Sequence, residues 1–342
     1  MKKLSIILGS ILISGSLLGS DEFVPNGSLN FTQTFYGNSG KYKTENAHPS
    51  VGLSYSLTEN LSFGLNWDRT FNTYNYDGEM DEQNNDYSSP YGTVNYNHGR
   101  VGNTKIKWSS SFQLKNENAF QGPNQMFATM ESTFDFVDYL PKNSYISPTQ
   151  FALSPTYIHG WNSSGASGHV NTGALGLLTN WNLPMDFTLT VNAYVLKDWY
   201  NGDFIIENEA GREYKDMTYF GFYAWLNYSK ELYKFNSKTN LMFNFTGGYD
   251  PYIVSDRSAS GWFPFIFGDY QYEWLEPTVE NGDYSNSYIL FALPQLEINY
   301  NLSRDITMSL FAQIKYSNQV WGDTEKDWEV QPQGGFSLTY NF

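Results

Sequence analysis

The last nine residues read GGFSLTYNF, in which Phe336, Leu338, Tyr340 and Phe342 are apolar and Gly335, Ser337, Thr339 and Asn341 are small or polar. A period of two puts these two sets on opposite faces of an extended strand. The alternation recurs along the chain. Leu61, Phe63, Leu65 and Trp67 oppose Ser62, Gly64 and Asn66, while Ile106, Trp108, Phe112 and Leu114 oppose Lys105, Lys107, Ser109, Ser111 and Gln113. Leu29–Phe35, Val51–Leu57, Phe187–Val195 and Ile306–Tyr316 repeat it, with weaker runs near 90–97, 126–137, 149–159, 168–178, 217–228, 239–247 and 287–300. The pattern predicts an all-β chain of about 14 strands, or 16 if residues 249–284 add a hairpin.

Aromatic residues make up 18% of the chain, yet mean hydropathy is −0.47. After Leu18 no apolar run approaches the roughly 20 residues of a spanning helix, whereas a strand crosses a bilayer in about 9–11. Only alternate residues of such a strand face lipid, so no segment looks hydrophobic as a whole. The combination predicts a transmembrane, up-and-down antiparallel β-barrel. A soluble sandwich seldom needs so many strands of this length, and no fixed repeat suggests a propeller. Connection lengths alternate in the same sense: short at 58–60, 98–103, 181–184 and 301–305, long at 76–88, 200–216, 249–284 and 318–327. Short periplasmic turns and long outer loops are the barrel arrangement. An even strand count returns both ends of the chain to one side.

Residues 1–20 read as a cleaved secretory signal, with Lys2 and Lys3 ahead of an apolar stretch from Leu4 to Leu18. Residues 21–342 form a single barrel domain. The formal net charge is −15, which disfavours nucleic acid as a partner, because phosphate contacts need clustered bases. With zero cysteines the chain has no disulfide framework and no thiolate metal site. No cofactor or metal is expected.

Function falls on the inner face. Asp68, Lys105, Lys107, Lys115, Glu131, Asp135, Glu297 and Lys315 lie opposite the lipid-facing sets, as do Gln113, Asn192, Gln295 and Gln313. In hydrocarbon each charge would cost about 2–4 kcal/mol near the midplane, so the face that carries them is wet. These charges either set up a transverse field across a channel or brace the wall as ion pairs. Trp67, Trp181, Trp199, Trp225 and Trp328 fall near strand ends and predict an aromatic girdle. The long loops are acidic: Asp77, Glu79, Asp81, Glu82 and Asp86 occur within 76–88 without one base. A negative vestibule favours cations, or binds divalent ions among lipopolysaccharide headgroups. The loop 249–284 contains GWFPFIFGDYQYEWLEP, rich in aromatics, and either narrows the mouth or extends the barrel.

An enzyme is not expected. The histidines are His48, His98, His159 and His169, and neither His98 nor His159 has a serine two residues on, as a lipid-facing Ser/His site on one strand would require.

The PNGSLNFTQTFYG opening (25–37), the tandem alternating strands and the terminal LTYNF resemble bacterial outer-membrane porins, and the PNGS…YG opening with 14 strands resembles the OmpG and FomA type. The resemblance implies residence in the bacterial outer membrane and a water-filled channel for passive diffusion of small hydrophilic solutes. It also implies recognition of Phe342 by the barrel-assembly machinery. A surface adhesin or structural barrel, acting through its outer loops, is the alternative. Oligomeric state is open.

Overall fold

The computed structural model describes residues 23–38, 46–71, 74–76, 79–81, 87–119, 125–143, 145–162, 168–202, 206–207, 213–255, 285–318 and 328–342. Fourteen long strands form one antiparallel sheet closed on itself. They are β1 (Asn26–Tyr36), β2 (Ala47–Ser56), β3 (Leu61–Thr70), β4 (Tyr91–Arg100), β5 (Lys107–Ala119), β6 (Gln125–Asp135) and β7 (Ser147–Asn162). The second half comprises β8 (Gly168–Asn182), β9 (Phe187–Gly202), β10 (Asp216–Lys234), β11 (Thr239–Ser255), β12 (Ser285–Asn301), β13 (Ile306–Ser317) and β14 (Glu329–Asn341). Each pairs with the next, and a two-residue segment, Tyr87–Ser88, continues the β3–β5 contact beyond β4. Short pairs 74–76/79–81 and 206–207/213–214 lie in the connections.

The ring closes between first and last strands, with Leu29 opposite Tyr340 and Phe31 opposite Leu338. At the seam the Gly27 N–H donates to the Phe342 carbonyl at 2.8 Å and the Phe342 N–H to the Gly27 carbonyl at 3.0 Å. The Phe342 ring stacks on Tyr55 of β2, at 6.3 Å. The Phe342 ring therefore spans three strands, and Gly27 and Phe342 lie at the barrel end that carries the short turns.

Register settles which residues share a face. Leu53, Leu65, Val94, Phe112, Met130, Tyr157, Leu175, Val195 and Phe220 belong to one surface, and each is exposed except Leu53, which is half-buried. Side chains on the convex side of a closed sheet splay apart and stay accessible, so this is the outer face; Leu65 is 58% exposed. Leu61, Phe63 and Leu65, predicted to face lipid, share it. Among the described residues no helix is long and apolar enough to cross a membrane.

The inner face is not uniform. From β13 through the seam to β6 it carries mainly Ser, Thr, Asn, Gln and charges. From β7 to β12 it carries Ala152, Ile158, Val170, Leu196, Met217, Tyr219, Trp225, Ile289, Phe291 and Leu293, all buried. Trp225, predicted to join the outer girdle, is instead 4% exposed and packs with Phe291, Leu293 and Tyr223 on this inner side. Alternation could not place it, because Phe220, Phe222, Ala224 and Leu226 are apolar on the opposite face of the same strand. Trp225 and Phe291 flank Gly248 on the strand between them. Gly248 has φ +143°, and a Cβ there would sit 1.9 Å from the Ala224 carbonyl oxygen. Trp225 and Phe291 belong to one inner cluster, with the strand that carries this glycine between theirs.

Gly248→Ala is expected to destabilise the barrel by about 1–3 kcal/mol through backbone strain, read as a lower urea midpoint for refolded protein in detergent. Gly99→Ala, also at positive φ but with open space around its Cβ, should cost less.

Candidate functional site: the inner wall

The charged residues singled out by alternation do not all reach the same environment. Lys105 precedes β5 and sits in the turn, exposed, its N–H donating to the Tyr139 hydroxyl at 3.1 Å and its Nζ 5.9 Å from that ring. Lys107 is opposite Asp135 in register but turns its Nζ to Asp138, 3.4 Å away. Asp135 is buried, and its Oδ1 accepts from the backbone N–H groups of Val137 (2.9 Å) and Phe151 (3.2 Å). It therefore ties the start of the 3₁₀ turn at Val137–Tyr139 to the first part of β7. Alternation puts Asp135 on the same strand face as Glu131 but carries no sign of this turn.

Glu131 stands farther up the same wall. One of its oxygens accepts from Ser154 of β7 and from Thr133, the latter at 3.4 Å. Beyond it, Asn192 of β9 donates to the Tyr223 hydroxyl at 2.5 Å while its carbonyl accepts from the Thr179 N–H at 2.9 Å. The Tyr194 and Tyr223 rings lie 6.2 Å apart. Gly176 makes room for Tyr194, whose ring would lie 2.8 Å from a Cβ built there.

Across the seam, Glu297 accepts from Asn244 at 3.0 Å and from Gln295 at 3.4 Å. Lys315 is 6% exposed, with Nζ 5.9 Å from the Phe291 ring. Gln313, Gln333 and Gln331 form a ladder of amides at 2.6 and 2.9 Å. Asp68 lies 3.9 Å from His48, whose other ring nitrogen bonds Thr70 at 3.1 Å. Lys115 is half-buried opposite Tyr91 and Phe127. The strand registers thus set Asp68, Lys107, Lys115, Glu131, Asp135, Glu297 and Lys315 on the inward side and leave Lys105 in the turn.

Two features escaped the sequence. Asp198 on β9 is 0% exposed and accepts from Thr172, from Tyr200 at 3.0 Å and from Tyr219 at 3.4 Å. It alternates with Tyr194, Leu196 and Tyr200, so a lone acid in a bulky stretch was the only signal. The second is His98, whose Nε2 lies 3.0 Å from the Ser110 hydroxyl on the outer face. The serine comes from the neighbouring strand, which spacing within one strand could not supply. His98 also stacks on Trp108 at 3.8 Å.

Of the other predicted girdle residues, Trp67 and Trp199 are exposed on the outer face; Trp328 is exposed and stacks on Tyr316 at 4.8 Å. Trp181 shares that outer face with Leu189, its register partner. Phe342 is half-exposed beside Tyr340. The acidic stretches at 77–78 and 82–86 and the aromatic segment at 256–284 lie outside the described residues. Among the described residues no group of three or more His, Asp or Glu could hold a metal.

No family model matches the chain, and no curated protein matches it. Among solved structures it is similar to a bacterial polysaccharide outer-membrane secretin, with TM-score 0.42 and 9% identity over 92% of this chain and 98% of that one. It is also similar to an outer-membrane channel from Pseudomonas putida F1 (TM-score 0.34, 8% identity, 96% and 100% covered). A third likeness is to Salmonella typhi OmpF in complex with daunomycin (TM-score 0.34, 9% identity, 93% and 97% covered). All three are below 10% identical to this chain.

Asp135→Ala orphans two backbone N–H groups and is expected to lower unfolding stability by about 1–3 kcal/mol. Asp138→Ala removes only a partly exposed ion pair and should cost at most about 1 kcal/mol in the same assay.

Proposed function

We propose that this chain is a bacterial outer-membrane porin, a water-filled channel for passive diffusion of small hydrophilic solutes and ions. The observation that carries the reading is the contrast between two faces of one closed sheet. Exposed Leu, Val, Phe and Met cover the outside, while amides, hydroxyls and both signs of charge line the inner arc from β13 through the seam to β6. Eight strands enclose only side chains and sixteen to eighteen leave an aqueous channel, so fourteen lies nearer the open end. The bulky inner wall of β7 to β12 narrows the cross-section, so solutes follow the polar arc. Glu131, Glu297, Lys115 and Lys315 are the charges we assign to that path, with Asp68 at its upper end and Lys107 at its lower. A mild cation preference follows from the acidic outer connections.

On this reading residues 1–20 are removed after export, residues 21–342 form the barrel, and Phe342 is the assembly signal. Outer-membrane lipid and lipopolysaccharide surround it. A closed structural barrel or adhesin acting through its outer loops is the second reading, favoured by the burial of Trp225, Ile289, Phe291 and Leu293 inside.

Liposome swelling separates the two: proteoliposomes should swell in small sugars, and failure to swell would leave the closed barrel. In planar bilayers, reversal potentials under a salt gradient should favour cations, and Glu131→Gln with Glu297→Gln should weaken that preference. A shift towards anions in the unaltered protein would remove the cation assignment. Leu65→Arg, on the outer face, should cost about 2–4 kcal/mol of stability in vesicles if it meets the bilayer core. Ser54→Arg, on the inner face, should cost far less.

A further inference from the structure

From the geometry at the outer rim of β7 and β8 we infer a binding site for a divalent transition metal, built on His159 and His169. Both side chains lie on the outer face, three or fewer residues from the ends of their strands, and their ring centroids are 5.4 Å apart. Two imidazoles sharing one tetrahedral Zn²⁺ at roughly 2.0–2.1 Å hold their rings about 5 Å apart. Their strands pair with His159 opposite Asn171 and Trp161 opposite His169, a diagonal placement that the β-ladder holds rigidly.

The hydrogen bonds set the tautomer that metal binding needs. His159 Nδ1 lies 2.9 Å from the Asn171 carbonyl oxygen, which also accepts from the Tyr157 hydroxyl at 2.6 Å. An amide oxygen only accepts, so the proton sits on Nδ1 and the lone pair on Nε2 is left for a ligand. A second group that fixes the far nitrogen in this way is the usual companion of a metal-bound histidine. Among the described residues, His169 Nε2 has a weak contact with the Asn201 amide nitrogen at 3.5 Å, given up at little cost. Trp161 stacks on His159 at 5.4 Å and steadies the ring. Two imidazoles with water completing the shell suit Cu²⁺, Zn²⁺ and Ni²⁺, whereas Mg²⁺ and Ca²⁺ demand oxygen ligands. A metal held here ties β7 to β8 where the barrel meets the outer water.

The test is calorimetric titration of the full-length, untagged protein in detergent micelles with Zn²⁺ and with Cu²⁺. One ion per chain should bind, without competition from Mg²⁺ or Ca²⁺. Asn171→Leu should weaken binding by about 10–100-fold through loss of the orienting acceptor, and His159→Gln or His169→Gln should weaken it further. His98→Gln should leave it unchanged. In the unaltered protein, the paramagnetic resonance spectrum of one Cu²⁺ equivalent should carry coupling to two nitrogens. That measurement needs no variant to fold. Unaltered binding in the His159→Gln/His169→Gln double variant, or a Cu²⁺ spectrum with fewer than two nitrogens, overturns the site.

Discussion

Everything in this molecule depends on closing the hydrogen-bond ladder between β1 and β14. A fourteen-stranded sheet left open would present two rows of unpaired N–H and C=O groups, and in hydrocarbon no water would satisfy them. The Gly27–Phe342 exchange of backbone hydrogen bonds completes the seam, which is why the last residue matters. Its ring also stacks on Tyr55 of β2 and lies beside Tyr340, so side chains reinforce the seam. With no edge left, each strand is free to divide its side chains between two surroundings.

That division was legible in the sequence wherever only one face is apolar. β3, β5, β13 and β14 alternate cleanly, and their strand positions, outer residues and connecting turns follow from period and spacing alone. The tight turns at 57–60, 183–186 and 302–305 were legible for the same reason. Strict alternation of connection length fails, however, at 120–124 and 163–167, which are as short as turns, and at 136–146, which is longer. The reading failed on β10, where MTYFGFYAWL is apolar on both faces and Trp225 was assigned outwards. Period two carries no phase when both phases are hydrophobic.

The candidate site was harder to read than the fold. Alternation places a charge on a face but cannot say what it touches. Asp135 serves one amide in a neighbouring turn and one on β7, Lys107 turns to Asp138, and Glu131 finds a serine one strand over. The His98–Ser110 and His159–Asn171 contacts likewise join different strands. All of these depend on register between segments twelve or more residues apart, or on the path of a turn. Neither is encoded in the local pattern that reveals a strand.

The packing of Trp225, Phe291 and Leu293 across Gly248 has a mechanical consequence. Thick interlocked side chains make that sector of the wall resist bending, whereas the opposite arc, backed by serines, threonines and glycines, is little more than a single sheet. Thermal flexing of the ring must therefore concentrate in the thin arc. On that ground the wall beside the hydrophilic lining should be the more deformable one.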